Sequence, residues 1–343
     1  MKQIKLRLLA ALIMAALALM PHALADISAQ ELFDALNMYD TDVTQPGLAP
    51  EDMQALVRSA DAALETEYAR YQVELYAFDG CTAYVAMRVT PLAPAETLLM
   101  SGYAFEVDDP IPARDGSSTG VTFAEAAQAS GRRIVAGGFD ADGLGKELIN
   151  SSGYWEAFED DGSMLLFGHW TYAEPSPDAR SQQLTIREYQ PGDERARKYQ
   201  MQLELVPTAA LERASGECSV GAGVLNVTGV RMFRSPLGMF AYVDCVIAGE
   251  LDEAAREELT RICGKLGDAA GAELFMLGGG GCAVSPGGEK RYSPEEMQTG
   301  DRFWFELELA AGEGLPGEVQ VTLYDYMDEF PTYTADVPLS AVN

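Results

Sequence analysis

The sequence GYWEAFEDDGSMLLFGHWTY, residues 153–172, carries the clearest structural signal in the chain. Its two halves are rich in aromatic and other apolar residues, which is typical of β-strands, and Asp161-Gly162 between them is typical of a hairpin turn. The stretch therefore predicts two antiparallel strands. The predicted cross-strand pairs are Phe158 with Leu165, Glu156 with Phe167, and Tyr154 with His169.

The same pattern recurs on both sides of this hairpin. Asp79-Gly80 joins two apolar runs upstream, and residues 184–190 and 199–206 form another predicted pair. Further strands are predicted at 224–232, 239–248, 272–277, 303–309, 319–326 and 333–339, with Gly278 to Gly281 as a turn. Because the connections are too short for parallel crossovers, we expect antiparallel β-sandwiches.

Helical signals are few. Residues 26 to about 68 are predicted to be helical, from a capping box at Ser28 to Glu31 and apolar residues at helical spacing up to Leu64. A second capping box, Thr122 to Glu125, predicts a short helix that ends near Gly131. Residues 251–266 have one apolar face and predict a single amphipathic helix.

The first 25 residues are predicted to be a cleavable signal peptide. Lys2, Lys5 and Arg7 precede an uncharged apolar run, and Ala23-Leu24-Ala25 supplies a small-x-small cleavage pattern. The run covers about 13 residues, short of the roughly 20 that a membrane-spanning helix needs. We therefore expect a secreted, extracytoplasmic protein with no membrane span.

These patterns give a predicted domain organisation. A helical segment at 26–68 follows the signal peptide at 1–25. Residues 69–210 and 220–343 then form two antiparallel, immunoglobulin-like β-sandwich domains, the second with one helix. The length of 343 residues is sufficient for two cores of ordinary size.

The charge balance is strongly acidic. The chain has 53 Asp and Glu against 24 Lys and Arg, a formal net charge of −29. That charge repels nucleic acid and anionic lipid, so neither is an expected partner. It favours solubility, or attraction to divalent cations or to a cationic partner.

Cysteine and histidine limit the chemistry further. Four of the five cysteines, Cys218, Cys245, Cys263 and Cys282, lie in the C-terminal part, where up to two disulfides are possible in three pairings; buried thiols are equally compatible. No C-x-x-C spacing is present. After the signal peptide His169 is the only histidine, which argues against multi-histidine metal sites, and no cofactor is expected.

An aromatic cluster on the 153–172 hairpin is the best candidate for a binding surface. Exposed rings there would stack on a sugar or a peptide; buried rings would instead belong to the core. The candidate binding residues are Tyr154, Trp155, His169, Trp170 and Tyr172.

Two other patterns offer alternatives. Gly116 to Gly120 fits G-x-S-x-G, in which Ser118 would be a nucleophile served by His169. However, a flexible loop explains the pattern better, since no buried strand precedes it. Asp140-Ala141-Asp142-Gly143 resembles part of a calcium loop but lacks a glutamate in register, so a surface turn is favoured.

Two stretches, Phe78 to Val85 and Ser235 to Met239, resemble the immunoglobulin-like extracytoplasmic domains of secreted proteins of Gram-positive gut bacteria. Some relatives of those domains form the outer part of membrane-anchored sigma-factor regulators. This chain departs from the regulators in its predicted cleavable signal, and the resemblance transfers no functional residues.

The sequence thus predicts a secreted, non-enzymatic binding or interaction protein whose ligand is an unknown protein or carbohydrate. One alternative is a secreted hydrolase that uses a carboxylate pair, or Ser118 with His169. The other is a calcium-stabilised structural module.

Overall fold

The computed structural model describes residues 27–29, 32, 54–103, 105–112, 117–143, 148–159, 161–172, 174–269, 271, 274, 276–286, 290–291, 293–309, 314–327 and 331–342. For residues 149–157, 276–284, 290 and 308 it describes the backbone alone. The predicted signal peptide lies outside the described residues.

The N-terminal part of the described chain is built almost entirely from strands. Their bounds are β1 Arg58–Glu65, β2 Ala69–Phe78, β3 Thr82–Pro91, β4 Thr97–Ser101, β5 Pro110–Pro112, β6 Ser118–Thr122, β7 Arg133–Ala141, β8 Leu148–Phe158, β9 Met164–Tyr172, β10 Arg180–Tyr189 and β11 Arg197–Leu205. One helix, α1 Phe123–Ser130, follows β6.

The C-terminal part continues in the same style. Its strands are β12 Glu212–Ala222, β13 Leu225–Ser235, β14 Gly238–Ile247, β15 Ile262–Gly267, β16 Met276–Val284, β17 Lys290–Arg291, β18 Arg302–Leu309, β19 Glu318–Asp325, β20 Tyr333–Pro338 and β21 Ser340–Ala341. Helix α2 spans Glu253–Arg261. The prediction of a mainly β protein is confirmed, and most of the strand pairs are antiparallel as expected.

Two sheets pack face to face in the N-terminal part. One has the strand order β1-β2-β3-β9-β8 and the other β11-β10-β7-β4. Their facing side chains form one hydrophobic cluster, which includes Val85 on β3, Trp170 on β9, Phe139 on β7 and Ile186 on β10. Burial of this apolar surface holds the two sheets together.

The C-terminal part has a second hydrophobic cluster. A seven-stranded sheet, β17-β16-β18-β14-β13-β12-β21, faces the three-stranded sheet β15-β19-β20. Val243 and Phe305 of the larger sheet pack in one cluster with Val321 and Val337 of the smaller one, and Leu259 of α2 joins them.

The outer face of the five-stranded sheet is also covered. Ala86 on β3 and Phe167 on β9 pack against Leu32 and Leu56 from the N-terminal segment. Leu237, between β13 and β14, belongs to the same cluster and is completely buried. The N-terminal segment and a turn of the C-terminal part therefore share one side of this sheet.

The capping prediction at Thr122 is confirmed. Thr122 Oγ1 accepts a hydrogen bond from the Glu125 backbone N–H at 3.1 Å, and the Glu125 carboxylate accepts one from the Thr122 N–H at 3.1 Å. Gly131 ends α1 in the left-handed conformation, with φ 73°. Both ends of this short helix follow from local sequence signals.

Three helix and turn predictions are wrong. Residues 58–65 form strand β1 rather than the end of a helix, since they pair with β2 along Ala62↔Val73 and its neighbours. The helix predicted at 251–266 ends at Arg261, and Ile262–Gly267 pairs with β19 instead. Gly278 to Gly281 lie within β16 and not in a turn. In each case long-range pairing overrides a local preference.

The pairing of β8 with β9 differs from prediction. Phe158 lies opposite Met164 rather than Leu165, so the register is displaced by one residue from the turn onward. An irregularity between Trp155 and Ala157 displaces it by one more, so Tyr154 lies opposite Phe167 and Ser152 lies opposite His169. A β-bulge of this kind inserts one extra residue and cannot be read from alternation alone.

One strand pair is parallel, contrary to the expectation of antiparallel pairing throughout. Strand β4 runs parallel to β7, with Leu99 opposite Val135. The connection between them contains the β5–β6 ribbon and α1, which makes it long enough to return the chain in the same direction. No helix in the described part of the chain is both long and apolar enough to cross a bilayer.

Candidate functional site

Trp170 and Tyr172 of the predicted binding cluster are core residues. They are 1% and 2% exposed, and both belong to the cluster between the two N-terminal sheets. The Trp170 indole N–H donates to Tyr172 Oη at 3.1 Å, and Tyr172 Oη donates to Gln182 Oε1 at 2.9 Å. Neither ring is open to stack on a ligand. The side chains of Tyr154 and Trp155 lie outside the described part of the structure.

His169 lies on the opposite face of the same strand. Its ring is half-buried beside Tyr84, with 6.1 Å between the ring centroids. Burial disfavours the charged imidazolium and lowers the pKa of His169 to about 4. At neutral pH the side chain is therefore uncharged and a weak base.

Ser118 belongs to a different element. It is exposed at the start of β6, and its Oγ accepts a hydrogen bond from the Gly120 N–H at 3.1 Å. The transition from strand to helix falls at Thr122, which caps α1. A nucleophile elbow requires the serine at that transition, so Ser118 does not occupy such an elbow.

The acidic turn after β7 is used within the protein. The Asp140 carboxylate is paired with the Arg187 guanidinium, and Asp142 Oδ1 accepts a hydrogen bond from Thr185 Oγ1 at 2.6 Å. Among the residues that the structure describes, no three His, Cys, Asp or Glu side chains are grouped so that they would hold a metal ion.

The cysteines of the described chain are unbridged. Cys81, Cys218, Cys245 and Cys263 are free thiols, and the side chain of Cys282 is not described. Cys218 lies on β12 and Cys245 on β14, with β13 between them. Two strand spacings place such residues roughly 10 Å apart, too far for a disulfide. Of the three possible pairings, this spacing excludes the one that joins Cys218 to Cys245, and the free thiols agree with the alternative of unbridged cysteines.

The two turns that carry the sequence resemblance meet in space. Asp79 is completely buried, and its Oδ1 accepts hydrogen bonds from the backbone N–H groups of Cys81 and Thr82, both at 2.7 Å. Its Oδ2 accepts one from Ser235 Oγ at 2.5 Å, while Ser235 Oγ accepts from the Leu237 N–H at 2.9 Å. One carboxylate thus fixes two turns far apart in sequence.

Further contacts extend this junction onto the outer face of the seven-stranded sheet. Tyr242 Oη donates to the Tyr172 carbonyl at 3.3 Å, and a guanidinium nitrogen of Arg231 lies 3.7 Å from a Glu174 carboxylate oxygen. Tyr242 is fully buried, and Phe233 packs edge-on against its ring. The N-terminal part therefore covers this portion of the sheet face.

The same face continues beyond the junction as a partly open area. We name it the Trp304 surface and define it by the side chains of Asp244, Arg302, Trp304 and Glu306 with the backbone of Gly278 to Gly281. Trp304 lies opposite Asp244 on β14, and Glu306 lies opposite Gly280 on β16. The strand alternation directs Phe303 and Phe305 to the other face, where they are buried.

Charged groups are paired closely on the Trp304 surface. Arg231 donates to both Asp244 carboxylate oxygens, at 2.6 and 2.9 Å, in a bidentate arrangement. Arg302, whose side chain is 54% exposed, lies 3.8 Å from Asp244 Oδ1. Asp244 thus stands between two guanidinium groups and itself remains partly accessible.

Trp304 lies beside this group. It is intermediate in exposure, and within the described part of the chain its indole N–H has no hydrogen-bond partner. On β16, Gly278 to Gly281 contribute no side chains opposite residues 305–308, whereas Cys282 lies opposite Trp304 itself. The arrangement combines a flat ring, hydrogen-bond donors and acceptors, and a nearby stretch of glycine backbone without side chains. These are features of a surface that binds a small ligand or a glycan.

Sequence reasoning missed this surface. Residues 302–309, RFWFELEL, alternate strictly, and Trp304 falls on the polar phase with Arg302 and Glu306. A tryptophan on the polar phase of an amphipathic strand was the available signal.

Comparison with known proteins does not assign the chain. No protein-family model matches it, and no curated protein matches it. One solved structure to which it is similar is described as the crystal structure of the conserved domain protein from Bacillus anthracis. That match has 14% identity and a TM-score of 0.41, and it covers 90% of this chain and 93% of the other. Similarity at this level carries no argument about fold or function.

Proposed function

We propose that the protein is an extracytoplasmic, non-enzymatic binding protein and that the Trp304 surface is its ligand site. The observation that carries this proposal is the state of Trp304, which is partly exposed and lies directly opposite Asp244. Its indole N–H has no hydrogen-bond partner among the residues that the structure describes. Tryptophan and arginine are the residues that most often dominate binding energy.

The placement of the candidate catalytic residues supports binding rather than catalysis. Ser118 is exposed on the β5–β6 ribbon, whereas His169 is half-buried against Tyr84 on β9. With its pKa near 4, His169 is poorly matched to general-base catalysis near neutral pH. Hydrolysis assays with ester, peptide and glycoside substrates should show no turnover. Turnover that is lost in Ser118→Ala or His169→Ala would overturn the proposal.

The proposed architecture is two immunoglobulin-like β-sandwich units, one formed by β1 to β11 and the other by β12 to β21. The units therefore begin at Arg58 and Glu212, earlier than the predicted bounds of 69–210 and 220–343. The two separate hydrophobic clusters support it, because each lies between two facing sheets. Limited proteolysis should cut first between Val206 and Leu211, where no strand is formed. Early cleavage inside either set of sheets would contradict this division.

The proposed location rests on the first 25 residues of the sequence. Expression of the full chain in a secreting bacterial host should yield a product outside the cytoplasm whose N-terminus is Asp26. Retention of Met1 on a cytoplasmic product would contradict the extracytoplasmic assignment.

The binding proposal is tested by probing one array of soluble glycans and peptides with three proteins. Wild type and Tyr326→Ala should capture the same ligands, because Tyr326 is a 59% exposed aromatic residue outside the Trp304 surface. Trp304→Ala should lose them. If Trp304→Ala binds as wild type does, or if wild type captures nothing, the proposed site is wrong.

A further inference from the structure

The Trp304 surface carries information about the chemistry of its ligand. We infer that it binds an uncharged saccharide, a deduction that rests on the proposed function. The deciding feature is the juxtaposition of a partly exposed tryptophan with a carboxylate held between two guanidinium groups. Four consecutive glycines lie opposite residues 305–308 of the tryptophan's own strand.

The hydrogen-bonding groups of the Trp304 surface are suited to binding the hydroxyl groups of a sugar. A hydroxyl both donates and accepts, so a vicinal pair on a sugar ring requires a donor and an acceptor side by side. Asp244 supplies an acceptor, and Arg302 supplies donors 3.8 Å away. The indole N–H of Trp304, which has no hydrogen-bond partner within the described part of the chain, adds a third group, a donor.

The apolar part of the surface matches the face of a sugar ring. The flat indole presents area on which ring C–H groups pack by dispersion and desolvation. Gly278 to Gly281 pair with residues 305–308 and project nothing above the backbone. Trp304 itself lies opposite Cys282, and Gly280 lies on the same face opposite Glu306. A ring system that extends from Trp304 toward Glu306 therefore passes beside glycine backbone.

The charges of the protein favour an uncharged saccharide over anionic and cationic ligands. The net charge of −29 repels polyanionic glycans at long range. A cationic peptide would be attracted to the chain as a whole, but Arg231 and Arg302 already neutralise the carboxylate that would bind it here. An uncharged ligand is the class that meets neither repulsion nor the cost of displacing an ion pair.

Affinity electrophoresis provides the test. The full-length secreted product is run in native gels that contain a neutral glucan, a neutral mannan, a polygalacturonate or a cationic lysine polymer. We expect retardation by at least one neutral polysaccharide and none by the polygalacturonate. Trp304→Ala should raise the Kd for that polysaccharide by at least about tenfold, and Arg302→Gln by about threefold or more.

Two controls keep the outcome interpretable. Tyr326→Ala should bind as wild type does, and thermal unfolding should show that all variants are folded. If the lysine polymer alone retards the wild type and Trp304→Ala abolishes that retardation, the proposed site is correct. The inference that its ligand is a saccharide is then wrong. Failure of both neutral polysaccharides to bind would overturn the saccharide as well. Retardation that Trp304→Ala leaves unchanged would overturn the site and the ligand class together.

Discussion

Asp79 and Ser235, which lie in separate turns of the N-terminal and C-terminal parts, are joined by a hydrogen bond of 2.5 Å from Ser235 Oγ to Asp79 Oδ2. Burial of Asp79 is complete, and it raises the pKa of the carboxyl despite hydrogen bonds from Ser235, Thr82 and Cys81 that act in the opposite direction. Asp79 thus links the two turns and is also a buried ionisable group. Its contribution to the free energy of unfolding therefore depends on pH.

Substitution of Asp79 tests the connector role. Asp79→Ala should lower the free energy of unfolding by about 2–4 kcal/mol at neutral pH, since two buried N–H groups and the Ser235 hydroxyl lose their acceptor. Asp79→Asn keeps an acceptor for Cys81 and Thr82 and should stay within about 1 kcal/mol of wild type. Urea unfolding of the three proteins measures these differences. An alanine variant as stable as wild type would contradict the role.

The pH dependence of the same pair has a defined sign. Because the pKa of Asp79 is raised in the folded state, its contribution is fully present below the unfolded pKa of about 3.9 and is lost as pH rises through the folded pKa. Relative to Asp79→Asn, wild type should therefore become less stable as pH increases over that interval. Equal pH profiles for the two proteins would show that Asp79 titrates normally.

His169 should respond to pH in the opposite direction. Its folded pKa of about 4 lies below the unfolded value, so folding is favoured while the ring is neutral. Stability that depends on His169 should fall as pH decreases from about 6.5 to 4, by at most about 3–4 kcal/mol. His169→Gln should remove this component. After removal of the signal peptide His169 is the only histidine, so its NMR titration reads the pKa directly, and a midpoint near 6.5 would contradict the prediction.

Gly80 is predicted to be nearly intolerant of substitution. Its φ is +89°, and an added Cβ would lie 2.0 Å from the Ser176 carbonyl oxygen. Gly80→Ala should therefore destabilise the protein by more than about 3 kcal/mol, through backbone strain and displacement of the 174–180 loop. Gly120→Ala is the matched control, since its φ is +73° but nothing lies within 4 Å of the added Cβ. That variant should lose only about 1–2 kcal/mol in the same unfolding measurement.

Trp170 provides a test of its assignment to the core. Trp170→Ala should reduce stability by about 3–5 kcal/mol because it opens a cavity and leaves Tyr172 Oη without its indole donor. Tyr326→Ala, at an exposed position, should stay within about 0.5 kcal/mol of wild type. Chemical denaturation measures both. If the Trp170→Ala variant is as stable as wild type, Trp170 is not a core residue and remains a candidate for ligand binding.

Local signals explain what the sequence predicted well. The hairpin at Asp79-Gly80, the capping box at Thr122 and the alternation of 302–309 each depend on neighbours in the chain, and the structure contains all three elements. The strands β1 and β15 were missed because residues 58–65 and 262–267 are compatible with helix locally. Their strand state is set by distant partners, Val73 for Ala62 and Val321 for Leu266.

The candidate site was harder to predict than the fold. The aromatic cluster at 153–172 drew attention because its rings are close in sequence, yet Trp170 and Tyr172 fill the space between two sheets. Trp304 stands alone in the sequence, and its neighbours come from β14 and β16 by pairing. Periodicity places a residue on a face, but only the packing of sheets determines which faces remain open.

The burial of Phe233, Phe240 and Tyr242 on the outer face of the seven-stranded sheet has a consequence for folding cooperativity. If the N-terminal part melted first, this aromatic strip would be exposed to water, and so would the ring of Tyr242 that faces Tyr172. We therefore expect a single calorimetric transition for the intact chain. A fragment that begins at Glu212 should self-associate through the uncovered strip.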